Sequence, residues 1–174
     1  IIRLINEKMA YNKAFQVCLK HRISLNLLHD LNIDQFDNNV TLFVKQIASV
    51  ENLNLFIFDL VDDNVVETLY PSMNELHISQ KFVDPIYKRP RQSEKCYKVD
   101  KICNLLIDTL KSIDEQGFYL SSLTCFAKRY SGTDLEGAVV YLKSLSDKYP
   151  ELKGRMLDDG LKHLARLADV NDLY

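Results

Sequence analysis

Apolar side chains recur at spacings of three and four along most of this chain, the repeat of one buried stripe on a helix. Ile2, Ile5 and Met9 set the first stripe, and Ala14, Phe15, Cys18 and Leu19 the next. The phase breaks between them, which predicts a tight turn at Ala10-Tyr11-Asn12. Ser24 is placed to cap a short helix carrying Leu25 and Leu28, because its hydroxyl can accept from a free amide at a helix start. Asn38 and Asn39 precede another stripe, Val40, Phe43, Val44 and Ile47. Residues 52–61 read both ways. Asn52-Leu53-Asn54-Leu55 alternates like a strand, and Phe56-Ile57-Phe58 suits a buried strand, yet the neighbours on both sides are helical and helix is the reading adopted.

Pro71 closes this first block, and the pattern then lapses. Three of the four prolines (Pro71, Pro85, Pro90) fall before Lys98, with no sustained stripe among them. Helical order returns with Val99, Ile102, Cys103, Leu106, Leu110 and Ile113, followed by Leu120, Leu123 and Ala127. Gly132 suits a left-handed helix stop, and Thr133-Asp134-Leu135-Glu136 is a capping box. It opens a stripe of Leu135, Ala138, Val139, Leu142 and Leu145, which Pro150 ends. Leu157, Leu161, Leu164, Ala165 and Ala168 form the last. The expected fold is therefore all-α, an irregular α-solenoid of antiparallel helical hairpins (TPR-like). Its parts are a helical block over 1–70, a Pro-containing basic linker over 71–97 and a second helical block over 98–174 of the same solenoid.

Composition is that of an ordinary globular chain: 174 residues, 47% apolar and 26% charged, with a net charge of −2. A near-neutral total gives no global attraction to nucleic acid, so any such contact has to be local. The apolar run Leu55 to Phe58 stops at Asp59, far short of the roughly twenty residues of a membrane span. No signal-peptide pattern is visible, and the start at Ile1 and end at Tyr174 read as those of a fragment. Four scattered cysteines, Cys18, Cys96, Cys103 and Cys125, lack paired spacing and read as reduced thiols packed as small hydrophobes.

Motifs for chemistry are thin. Cys18 and His21 share a helix face, with His29 following, but a zinc site needs about four ligands and no second pair is spaced for it. His29-Asp30 superficially matches a metal-binding dyad, yet further His and Asp ligands are wanting and the pair reads as a helix-end feature. Gly132 and Gly137 carry glycine spacing of a phosphate loop, but Ala138-Val139 stands where Lys-Ser/Thr is needed. Asp59, Asp62, Asp63 and Glu67 read as a solvated helix start. No enzyme, cofactor or metal is expected. The remaining candidate is the segment 81–101, with seven Lys or Arg against three acids, where Lys88, Arg89 and Arg91 beside Tyr87 are the speculative nucleic-acid contacts. The plainer reading of that segment is a solvated linker.

Three stretches carry a more specific signal: CLKHRISLNLLHDLNIDQF from Cys18, FVKQIASVENLNLF from Phe43 and DDNVVETLYPS from Asp62. With Asp169-Val170-Asn171-Asp172-Leu173-Tyr174 at the far end, their order resembles the largest subunit of Elongator, the eukaryotic complex that modifies the wobble uridine of tRNA. Relatives often have Tyr-Asp-His-x-Pro where this chain has His29-Asp30-Leu31-Asn32-Ile33, and residues 71–97 have no clear counterpart. The resemblance implies an α-solenoid segment following two WD40 propellers, and it favours helix over 52–61. It implies a non-catalytic scaffold whose partners are the catalytic radical-SAM and acetyltransferase-like subunit and a second WD40 subunit. Homodimerisation through a region outside this chain, tRNA contact through the complex, and a cytoplasmic location with the nucleus as an additional one are also implied, with no membrane. The alternatives are a direct RNA-binding module using 81–101 and a helical adaptor of the vesicle-coat type.

Overall fold

Asparagine and serine at the breaks of the apolar pattern divide the first seventy residues into short helices. In the computed structural model, which describes residues 1–70, 97–129 and 135–171, these are α1 (Ile2–Asn6), α2 (Tyr11–His21), α3 (Leu27–Asp30), α4 (Ile33–Asn38), α5 (Val40–Ile47), α6 (Val50–Asp59) and α7 (Val65–Thr68). Side chains of Asn32, Ser49 and Asn64 accept from the amides of Gln35, Asn52 and Val66, so each caps the start of a helix. Helices this short do not persist alone and are held by packing. The longer elements follow: α8 (Lys98–Asp114), α9 (Tyr119–Lys128), α10 (Leu135–Lys148), a 3₁₀ turn at Pro150–Leu152, and α11 (Lys153–Asn171). Among the described residues there is no strand, and residues 50–59 are helical. The fold is an α-solenoid, irregular in its helix lengths.

Two apolar cores are built side by side. The first gathers α1 to α8 around Tyr11, Phe36, Phe43 and Phe56, all fully buried. Phe43 lies 4.8 Å from Phe56, 5.0 Å from Phe36 and 5.6 Å from Tyr11, centroid to centroid, in tilted and edge-on pairs. Val99, Ile102, Cys103, Leu106 and Leu110 of α8 are buried in this same core, with α8 resting on α5. The second core joins α9, α10 and α11 through Leu123, Leu142, Leu145, Met156 and Leu164. Helix α9 contacts α6, α8, α10 and α11, and Phe126 on it packs against both cores.

Several expectations are corrected in detail. The first turn lies earlier than Ala10-Tyr11-Asn12: α1 ends at Asn6, Met9 has φ 45°, and α2 already begins at Tyr11. Tyr11 is buried, so it serves the core rather than the turn. Ser24 does not cap α3, whose N-cap is Asn26; its hydroxyl instead accepts from the Asn26 amide at 3.3 Å and donates to Asp59 at 2.9 Å. Val139 is exposed, and Tyr141 takes the inward position on α10.

The last helix is turned by one position. Leu161 is exposed and Leu157 only partly buried, while Met156, Gly160, Leu164 and Leu167 face inward. The smallest residue sets the crossing. A Cβ on Gly160 would stand 2.7 Å from both methyls of Leu142, so a larger residue there would require the Leu142 side chain or the helices to shift. Gly160→Val is expected to force these helices apart at a cost of about 1–3 kcal/mol, read by urea unfolding. An unchanged midpoint would show that the crossing has slack.

Candidate functional site

Residues 24–30 and 59–65 meet the start of α8 in a polar junction that holds the buried side chains of Asn26, His29 and Asp30. Asp30 lies at its centre with its carboxylate fully enclosed. It accepts from His29 Nδ1 at 2.7 Å, from the Val65 amide at 2.9 Å and from Lys98 Nζ at 3.0 Å. Lys98 also donates to Asn26 Oδ1 at 3.2 Å and to the Asp63 carbonyl at 2.7 Å, which occupies all three ammonium protons. Asn26 completes the junction: its Oδ1 accepts from the Val61 amide at 3.0 Å, and its Nδ2 donates to the Asp59 carbonyl. Asp62 Oδ1 accepts from the Val99 amide at 3.1 Å and so caps α8 from outside.

This arrangement is structural chemistry. Burial pushes the Asp30 carboxyl up, but the hydrogen bonds from His29 and the Val65 amide and the Lys98 charge outweigh it and hold the group below its ordinary 3.8. His29-Asp30 is thus a buried pair inside α3, and its partner in the chain is Lys98, not a further metal ligand. Among the described residues no three His, Cys, Asp or Glu side chains converge as metal ligands would. Burial pushes the Cys18 thiol up to about 11, and burial with Cys103 alongside raises Cys125 well above its ordinary range, so both are poor nucleophiles at neutral pH.

The basic segment divides accordingly. Lys98 is committed to Asp30, and Lys101 Nζ pairs with Asp37. These two of the seven cations fasten α8 to α3 and α4. Lys88, Arg89 and Arg91, the speculative nucleic-acid contacts, lie outside the described residues, as do Cys96 and the Thr133 capping box. Sequence reasoning placed Lys98 among the linker cations and missed its role. The available signal was its position one residue before the α8 stripe, where a lysine inside the first turn opposes the helix dipole and needs an anion nearby.

A second feature lies on the surface. The ends of α2 and α6 border a groove of about 500 Å³ whose walls include Leu19, Ile23, Leu55 and Phe58. Leu19, Leu55 and Phe58 are 41%, 47% and 43% exposed, an unusual share for large apolar side chains gathered in one place. Arg22 stands at the groove in the left-handed region, φ 53° and ψ 43°, closing α2 by donating its amide to the carbonyls of Cys18 and Leu19. That position favours glycine, and a side chain there costs about 1 kcal/mol.

Comparison with known proteins gives a consistent result. A family model described as the ELP1 alpha-solenoid matches residues 1–174. Elongator complex protein 1 from Rattus norvegicus is 34% identical over 176 residues, covering 99% of this chain and 12% of that protein. The protein of the same name from Mus musculus is 34% identical with the same coverage, and that from Saccharomyces cerevisiae is 32% identical, covering 94% of this chain and 12% of its own length. The chain thus spans about an eighth of the relatives it matches. An all-helical fold stacked around two adjoining cores, matched along its whole length by the family model, places this chain in the ELP1 alpha-solenoid family.

Proposed function

We propose that this chain is a non-catalytic scaffold segment of the Elongator complex, holding partner subunits through its helical surfaces. The observation that carries the reading is the match of the ELP1 alpha-solenoid to all 174 residues. The way the chain spends its polar groups supports it. Asp30, His29, Lys98 and Asn26 bind one another, where a catalytic site would leave such groups facing an open cleft. In this reading the complex acts on the wobble uridine of tRNA, and the catalytic radical-SAM and acetyltransferase-like subunit and a second WD40 subunit are the neighbours. Dimerisation belongs to a region outside this chain, and the working location is the cytoplasm. Among the described residues no helix is long and apolar enough to cross a membrane.

Crosslinking of the intact complex through lysines, followed by peptide mass spectrometry, tests this. Lys13, Lys20 and Lys45 are exposed or partly exposed on α2 and α5 and provide reporters. Crosslinks from this region to the catalytic subunit are expected. Crosslinks confined to its own chain would make the segment a spacer and overturn the scaffold reading.

A further inference from the structure

We propose that the outward faces of α2 and α5 form a cationic surface that takes the phosphate backbone of a nucleic acid. The inference goes beyond the scaffold reading and stands on a separate observation, the distribution of unpaired charge.

Most lysines from α8 onward are committed within the fold. Lys98, Lys101, Lys148, Lys153 and Lys162 each pair with a carboxylate, and Lys128 donates to the Phe58 carbonyl. The lysines of the first helices are not spent in this way. Lys8, Lys13, Lys20 and Lys45 are exposed, and among the described residues none has an ion-pair or hydrogen-bond partner through its side chain. The local sequence offers none either. Neither α2 nor α5 contains an Asp or Glu, and no acid occurs between Glu7 and Asp30. Glu7 itself pairs with Arg3 at 3.7 Å.

The fold draws these charges together. On α2, Lys13 and Lys20 are seven positions apart, nearly two full turns, so both stand opposite the buried Ala14, Phe15 and Cys18. A polar clasp pins α5 beside α2: Asn12 Nδ2 donates to the Gln46 carbonyl at 2.9 Å, and Gln46 Nε2 donates to the Met9 carbonyl at 2.9 Å. Lys8, Lys13 and Lys45 each adjoin a clasp residue in sequence, so three flexible stems start around one point. Lys20 and Lys45 lie in last turns, where offsetting the helix dipole is an ordinary use of a cation. Lys13 has no such use. It lies in the first turn of α2, where the dipole disfavours a cation. The same placement at Lys98 is met by Asp30, but no described residue supplies an anion at Lys13.

The character of the face selects the partner. Among the described residues α5 exposes no large apolar side chain, and α2 exposes only Leu19, which belongs to the groove at its far end. A protein partner draws most of its affinity from a few buried anchors, which the lysine-bearing face lacks. A phosphate backbone is held by spaced cations alone, and an ammonium group on a flexible stem suits it. RNA and DNA share this chemistry, and the test separates them.

The test uses the full-length subunit within its complex, with single-stranded RNA and DNA probes of the same mixed sequence. Photo-crosslinking with thiouridine or thiothymidine in the probe is expected to mark peptides spanning residues 8–22 and 41–48. Marks confined to other parts of the complex would overturn the proposal. In parallel, the triple variant Lys13→Glu, Lys20→Glu, Lys45→Glu is compared with wild type. All three positions are exposed, so thermal unfolding is expected to be unchanged. Affinity for the preferred probe is expected to fall tenfold or more at low salt. The slope of log affinity against log salt is expected to drop by about two, since each lost contact to a single strand removes about 0.7. The milder set, Gln at the same three positions, removes charge without reversing it and is expected to lose about threefold. Wild-type affinity for both probes in these variants would overturn the proposal. Loss of another subunit with probe affinity unchanged would assign the face to an acidic protein, overturning the proposal and supporting the scaffold reading. Weakened probe binding with every subunit retained supports the proposal and leaves the scaffold reading standing.

Discussion

Replacing Lys98 with Met is expected to destabilise the chain by about 3–5 kcal/mol, because it leaves the enclosed Asp30 carboxylate without its cation. The Lys98 side chain is only 14% exposed, and its three ammonium protons bind Asp30, Asn26 and the Asp63 carbonyl. The loss therefore reaches α3, the link after α6 and the start of α8 together. The double variant Asp30→Asn with Lys98→Met is expected to recover part of the loss, since the buried charge is then gone as well. Urea unfolding of the four proteins of this cycle measures the coupling. An additive cycle would show that the pair contributes nothing beyond its separate contacts.

The same junction sets an acid limit with a definite sign. Asp30 has a folded-state value held below its ordinary 3.8, so the folded state favours the charged form. Its contribution is fully present above the unfolded value of about 3.9 and is lost as pH falls through the lower folded value. Wild type should lose stability relative to Asp30→Asn as pH drops below about 4, while the gap between them stays level from pH 5 to 7. A gap that widened on acidification would contradict the assignment.

Replacing Phe43 with Ala is expected to cost about 3–5 kcal/mol, a large part of the 5–15 kcal/mol that holds a typical domain. Phe43 is fully buried and touches Tyr11, Phe36 and Phe56, so its removal opens a cavity where α2, α4, α5 and α6 meet. These helices include some of only six to ten residues and rely on that cluster for their stability. Phe43→Leu keeps more of the volume and is expected to cost about half as much. Equilibrium unfolding followed by circular dichroism is the measurement. A loss under about 1 kcal/mol for Phe43→Ala would mean that the cluster does not organise the first core.

The elements that could be read from sequence were those whose signal is local. The stripes Val40-Phe43-Val44-Ile47 and Val99-Ile102-Cys103-Leu106-Leu110 are buried as their period predicts, and the helix over 50–59 follows its neighbours. The errors come from residues whose role depends on what lies opposite. Leu161 has the size of a core residue, but Gly160 beside it lets α11 approach Leu142, and the helix turns to use the smaller side chain. Tyr11 looked like part of a turn because its core partners, Phe36 and Phe43, are 25 and 32 positions away.

Functional legibility divides in the same way. The ordered words from Cys18 onward resembled one family, and the match of the ELP1 alpha-solenoid to the whole chain bears that resemblance out. Sequence alone determined the helical class, the family and the stripes of α5 and α8, because period and residue order are properties of neighbouring positions. Only the tertiary structure decided that Lys98 belongs to Asp30, 68 residues earlier, and that Leu19, Leu55 and Phe58 share one groove beside Arg22. Such pairings depend on how helices cross in space, and a burial pattern with a period of 3.6 says which face of a helix turns inward but not which helix it meets.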